Sequence, residues 1–146
     1  MGFEAILHAM SDYKIERTIV NTKNTNMKIR WEEKNFQKSA FEDVLRTSVA
    51  AEMSQSPISF FAQKFGFTTK EWERLPILND FKVIGYYEKK GMKVVSAIEH
   101  RKYPIFGVQF HPEKVLFEHK GKVNRVLSKQ SSMASQELSR IIFDKA

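Results

Sequence analysis

The 146-residue sequence contains no cysteine. Disulfides, thiolate metal sites and cysteine nucleophiles are therefore excluded for the chain as written. No apolar run approaches the ~18 residues a membrane span needs, so no transmembrane helix is expected. The opening Met1-Gly2-Phe3-Glu4 lacks a basic stretch followed by an apolar core, and no secretory signal is read there. Internal repeats, low-complexity tracts and dividing linkers are missing too, which points to one domain. What is present is ordinary globular composition. The hydrophobic fraction is 42% and the charged fraction 28%, so neither a disordered tail nor a fibrous repeat is expected. Lys and Arg number 24 against 17 Asp and Glu, a net charge of +7. That balance favours anionic partners and solubility without dictating a fold.

Helix and strand patterns alternate along the chain. Phe3, Ile6, Leu7 and Met10 fall at i, i+3, i+4 and i+7, one apolar stripe of a short helix. Lys14–Val20 and Met27–Glu32 read as strands, with Asn21–Asn26 as a turn-rich joint. Phe41, Val44, Leu45, Val49 and Met53 make a second helical stripe, closed by Ser54-Gln55-Ser56-Pro57. Ile58–Phe67 is aromatic-rich and reads as a buried connection, with a pocket-lining loop as the alternative. Glu71–Asp80 is expected to be irregular because Pro76 interrupts it. Phe81–Tyr87, Met92–Glu99 and Ile105–His111 are strand candidates, the first two joined by a tight Glu88-Lys89-Lys90-Gly91 link. From Ser128 to Ala146 the spacing of Ala134, Leu138, Ile141 and Ile142 predicts a helix packing one face on a sheet. Helices bracketing strands argue for an α/β or α+β fold.

One stretch carries chemistry. The apolar strand Ile105–Phe110 ends abruptly in His111-Pro112-Glu113. Pro112 biases His111 toward an extended conformation, in which residues i and i+2 project to the same side. The carboxylate can then sit against the imidazole, fixing its tautomer and freeing the other ring nitrogen to act as a base. An isolated His-x-Glu is common and, alone, reads as a surface ion pair. The buried strand, the rigid Pro and the terminal His together raise it above that level, and strand carboxyl ends are where open α/β sheets bind ligands.

Tyr103-Pro104-Ile105-Phe106-Gly107-Val108-Gln109-Phe110-His111-Pro112-Glu113-Lys114 resembles the strand that carries the catalytic His and Glu of class I glutamine amidotransferase-like proteins. Within that superfamily it is most similar to the γ-glutamyl hydrolases, which cut poly-γ-glutamate tails from folates. The Tyr-Pro before the strand, and Lys114 and Phe117-Glu118 after it, favour that subgroup. Val94–Glu99, Gly2-Phe3-Glu4 and Ile141-Ile142-Phe143 are similar as well. The resemblance implies an α/β, three-layer (flavodoxin-like) class I glutamine amidotransferase-type fold, present in part and lacking the N-terminal strands. Residues 1–146 would then be the C-terminal part of the domain. It also implies acyl transfer by a Cys-His-Glu set without a cofactor, with His111 moving the proton and Glu113 orienting it. The implied partner is a poly-γ-glutamyl folate or another γ-glutamyl substrate, with a homodimer as one assembly. Family members are vacuolar, lysosomal or extracellular, although no such address is legible in this chain.

Two departures accompany the match. The family's nucleophilic Cys precedes Met or Leu and then Gly-Phe-Glu, so this sequence starts one residue after the expected nucleophile. Part of the oxyanion hole should come from the N–H of the residue after that Cys, here Met1. Three expectations follow: an internal Met taken as the start of a longer protein, a truncated relative without activity, or a complement to a separately encoded half. The second departure is Gln63, which stands where the family places a substrate-side His; Gln can hydrogen-bond but cannot take up a proton.

The remaining residues carry weaker signals. Lys89, Lys90, Lys93, Arg101 and Lys102 gather around the hairpin and strand ends, and Arg101 and Lys102 are candidate contacts for a poly-γ-glutamate tail. A solvated basic face is the competing account. His8, His100 and His119 show no metal-ligand spacing, Glu118-His119 reads as solvent-exposed, and no metal site is expected. Trp31 and Trp72 stand alone and Arg and Lys are not interleaved with aromatics, so nucleic acid is not an expected partner, and without an apolar span neither is a membrane. Without a nucleophile the isolated chain should show no thiol-dependent hydrolysis. Half of a parallel sheet would leave an apolar face and edge bare, giving poor solubility.

Overall fold

A computed structural model describes residues 2–11, 15, 17–35, 39–117 and 128–145 of the chain. The first apolar stripe forms helix α1 (Gly2–Met10), with Phe3 and Leu7 buried. Strands β1 (Thr18–Ile19), β2 (Thr25–Met27) and β3 (Arg30–Trp31) follow. β1 and β3 fall within the two expected strands, whereas β2 lies mostly in the stretch that reads as a joint. Asn21 and Asn24 supply the bends there with φ of 47° and 53°. The second stripe is broken into α2 (Glu42–Leu45) and α3 (Ser48–Gln55), and α3 stops at Ser56, just before Pro57. Ile58–Phe67 is a largely buried connection that contains β4 (Ser59–Phe61) and β5 (Phe65–Gly66).

Residues 71–80 are ordered as helix, contrary to the sequence expectation. They hold most of α4 (Thr69–Arg74) and a 3-10 turn over Pro76–Asp80. Thr68 starts α4 with a capping box: its hydroxyl accepts the Glu71 N–H at 3.2 Å, and the Glu71 carboxylate accepts the Thr68 N–H at 2.6 Å. Pro76 sits beyond the last turn, so it terminates the helix rather than preventing it.

β6 (Phe81–Lys89) and β7 (Met92–His100) form the long hairpin. Its link is Lys90-Gly91 with φ of 50° and 74°, the pair of positive angles a two-residue turn of this kind requires. After β8 (Phe106–Val108) come α5 (Pro112–Phe117) and α6 (Lys129–Lys145). The main sheet runs β3-β6-β7-β8, with separate β1-β5 and β2-β4 ladders, and every ladder is antiparallel. The expectation of half a parallel sheet is thus corrected among the described residues. A two-residue turn and a five-residue loop (101–105) cannot make the crossover of a dozen or more residues that parallel pairing needs.

Both faces of this sheet are covered. The register slips at Ile84 on β6 and at Ser96 on β7, between the pairs Val83–Ile98, Gly85–Ala97 and Tyr86–Val95. Those irregularities shift the inside-outside alternation by one residue, so Val94 and Ala97 face one way and Val95 and Ile98 the other. Val94 and Ala97 join Ile84, Tyr87, Met53 and Leu138 in the core beneath α2, α3 and α6. Val95 and Ile98 join Phe3, Leu7, Phe67 and Trp72 beneath α1 and α4. The result is a mixed α/β, helix-sheet-helix arrangement, and among the described residues both faces of the sheet carry packed cores rather than the predicted bare apolar face. None of the helices in the described residues is long and apolar enough to cross a membrane.

Candidate active site

The expected strand to His111 is shorter in the structure, β8 closing at Val108, and the segment from there to His111 is fixed mainly by backbone. Gln109 N–H donates to Ser96 O on β7 at 2.8 Å, and His111 N–H donates to Phe60 O on β4 at 2.8 Å. Between them Phe110 is buried and packs edge-on to Phe61, ring centroids 6.0 Å apart. Gly107 lets α1 approach the strand, since a Cβ there would lie 3.1 Å from Phe3 Cδ2. The functional end of β8 is therefore anchored to β7, β4 and α1 at once.

His111 Nδ1 lies 2.7 Å from Glu113 Oε1, with side-chain exposures of 20% and 57%. The expected pair is in contact, but by a different route from the extended i, i+2 geometry. Helix α5 begins at Pro112, where a missing N–H costs no intrahelical bond and φ is already helical. Glu113 is thus a first-turn helical residue that turns back onto the imidazole preceding the helix. With Nδ1 engaged by a carboxylate, Nε2 is the nitrogen left to exchange a proton.

Gln63 is brought to the same end of the strand. Its Nε2 donates to Gln109 O, and its Oε1 accepts the Ala62 N–H at 2.9 Å. It acts as a brace between the β4–β5 connection and the chain two residues before His111. Gln109 itself is buried, its Nε2 donating to Phe65 O at 3.3 Å and Glu4 Oε1 at 3.5 Å. Neither Glu4 nor this amide network is singled out by sequence, because its members lie 44 and 105 residues apart along the chain.

Arg101 and Lys102 are not brought to His111. They follow β7 at the opposite end of the β7–β8 ladder, where Arg101 Nε donates to Asn79 O at 2.7 Å. His100 Nδ1 accepts the N–H groups of Lys102 and Tyr103 at 3.0 and 3.2 Å, closing the loop that carries both cations. That loop borders an open hollow of about 510 Å³, and Arg101 borders another of about 390 Å³ with Trp72 and Lys93. A hollow of about 10 Å³ lies beside His111. Lys89 and Lys90 lie at the turn of the β6–β7 hairpin, whereas Lys93 borders the same hollow as Arg101, so the basic residues are spread along the hairpin. Glu118 and His119 lie outside the described residues, as does Met1. Among the described residues no three His, Asp or Glu side chains converge as metal ligands would.

A family model described as glutamine amidotransferase class-I matches residues 1–127. Among curated proteins, gamma-glutamyl hydrolase B of Dictyostelium discoideum is 25% identical over 120 residues, covering 78% of this chain and 33% of its own length. The chain therefore spans about a third of the relative it matches.

Proposed function

The chain belongs to the class I glutamine amidotransferase family, and from that premise we propose that it is the base-bearing part of a γ-glutamyl hydrolase-like enzyme. The observation that carries this proposal is the 2.7 Å contact between His111 and Glu113 where the chain passes from β8 into α5. The likeness to gamma-glutamyl hydrolase B supports the choice of a γ-glutamyl bond as substrate.

The sequence holds no cysteine, so the proposed thiol comes from polypeptide other than these 146 residues. His111 takes the thiol proton and the thiolate attacks the γ-glutamyl carbonyl carbon. The carbon–nitrogen bond then breaks as the imidazolium gives that proton to the leaving amine. Water attacks the thioester, His111 accepts its proton and the thiolate departs, to be reprotonated in turn. Glu113 holds the ring and offsets the positive charge it carries between those steps.

The test pairs this chain with a cysteine-bearing N-terminal half from the family and assays γ-linked glutamate. Hydrolysis is expected only with both parts, falling by ~10²-fold or more in His111→Ala, the range of general acid–base catalysis. Turnover indifferent to His111→Ala rejects the proposal. Absence of cysteine favours a second possibility, a non-catalytic relative that binds γ-glutamyl ligands; binding without turnover in the paired sample would establish it. Ammonia release from free glutamine would instead mark an amidotransferase.

A further inference from the structure

Two cations share one aromatic ring beside the candidate site. Arg17 Cζ lies 4.8 Å from the centroid of Phe65, and Lys64 Nζ lies 5.3 Å from it. Contact with the ring face holds both long side chains in place. Arg17 Nη1 also donates to Glu4 Oε2 at 3.1 Å, its only side-chain hydrogen bond among the described residues, with 38% of the side chain exposed. Lys64 is exposed and meets no carboxylate among those residues. Among the described residues, most of the Arg17 donors and all of the Lys64 donors have no partner.

The backbone places this pair at the functional end of β8. Lys64 O accepts the N–H groups of Val20 and Asn21, both at 2.9 Å, which docks the β1 segment carrying Arg17. Gln63, next to Lys64, bonds to Gln109 O, and the Gln109 side chain reaches both Phe65 O and Glu4. Gln109 is two residues from His111. Arg101 and Lys102, by contrast, stand roughly 20 Å away, counting ~3.3 Å per residue along the ladder.

Building on the γ-glutamyl proposal, we infer that Arg17 and Lys64, held over Phe65, form the anion subsite for a γ-linked glutamate chain. Each γ-linked residue keeps a free α-carboxylate, which an ordinary peptide residue lacks. A planar guanidinium with most donors unoccupied among the described residues, and a neighbouring ammonium, suit that group. The chain would be read by charge beside the base, with Glu4 keeping Arg17 oriented while the subsite is empty.

The test follows amide resonances of the 146-residue protein during titration with γ-linked triglutamate and with its α-carboxamide analogue. The acid should bind with shifts over residues 17–20 and 62–65, and the neutral analogue at least tenfold more weakly. Arg17→Gln/Lys64→Gln should lose at least tenfold in affinity, while Arg17→Lys/Lys64→Arg stays within threefold and Arg101→Gln/Lys102→Gln within twofold. Circular dichroism confirms that each variant is folded. Failure of the acid to bind, equal binding by the Gln pair, or sensitivity confined to residues 101 and 102 overturns the subsite. In the paired hydrolysis assay, His111-dependent turnover with an unchanged KM in the Gln pair removes the subsite and leaves the reaction standing. Binding that needs Arg17 and Lys64 without any His111-dependent turnover removes the reaction and leaves the subsite standing.

Discussion

Tyr87 is fully buried, its ring centroid 4.6 Å from that of Phe61. Burial pushes its phenol up to about 12, and the polar Thr22 side chain offsets this in part. An unfolded tyrosine ionises near pH 10. Between those values the folded chain keeps a proton that the unfolded chain releases, so stability falls as pH rises. The contribution is complete below about pH 10 and is lost toward pH 12, at most about 2–3 kcal/mol. Tyr87→Phe should flatten this alkaline loss. Urea unfolding from pH 8 to 11.5 checks it, and parallel curves for the two proteins would contradict the assignment. At this scale the sequence showed His111 and Glu113 because the motif is local. It did not show that Glu113 sits on a helix, since Pro fits both an extended link and a first helical turn. Nor did it show Gln63 as a brace, because its partner lies 46 residues away.

Helix α4 depends on its start. Thr68 and Glu71 exchange hydrogen bonds there, and the Thr18 hydroxyl also donates to Glu71, tying the cap to β1. Thr68→Ala should lower stability by about 0.5–2 kcal/mol, measured by chemical denaturation. A change below a few tenths would mean the box is dispensable. The Thr-x-x-Glu spacing that starts the helix is present in the sequence, whereas Pro76 marks only where the helix must end. Longer elements were readable: α1, β6, β7 and α6 each repeat their pattern often enough to show a period. β1, β2, β4 and β5 have two or three residues each. Strands so short show no alternation, and only their partners define them.

The two cores on opposite faces of the sheet should respond independently. Leu138 lies in one and Ile98 in the other. Leu138→Ala should cost about 2–5 kcal/mol and Ile98→Val about 0.5–1.5 kcal/mol. Their sum should match the double variant within about 0.5 kcal/mol, as expected for sites without shared partners. Coupling above 1 kcal/mol would show that the sheet transmits packing from face to face. The helix-sheet-helix arrangement was legible from the order of elements and the family resemblance. The antiparallel ladders were legible only where a turn linked neighbours, because pairing between distant segments leaves no local trace. Main-chain bonds from Gln109 and His111 hold the site strand, with no demand on the imidazole. Reaction and scaffold are consequently under separate control: a lineage built this way can lose its chemistry one side chain at a time and still inherit an intact shape.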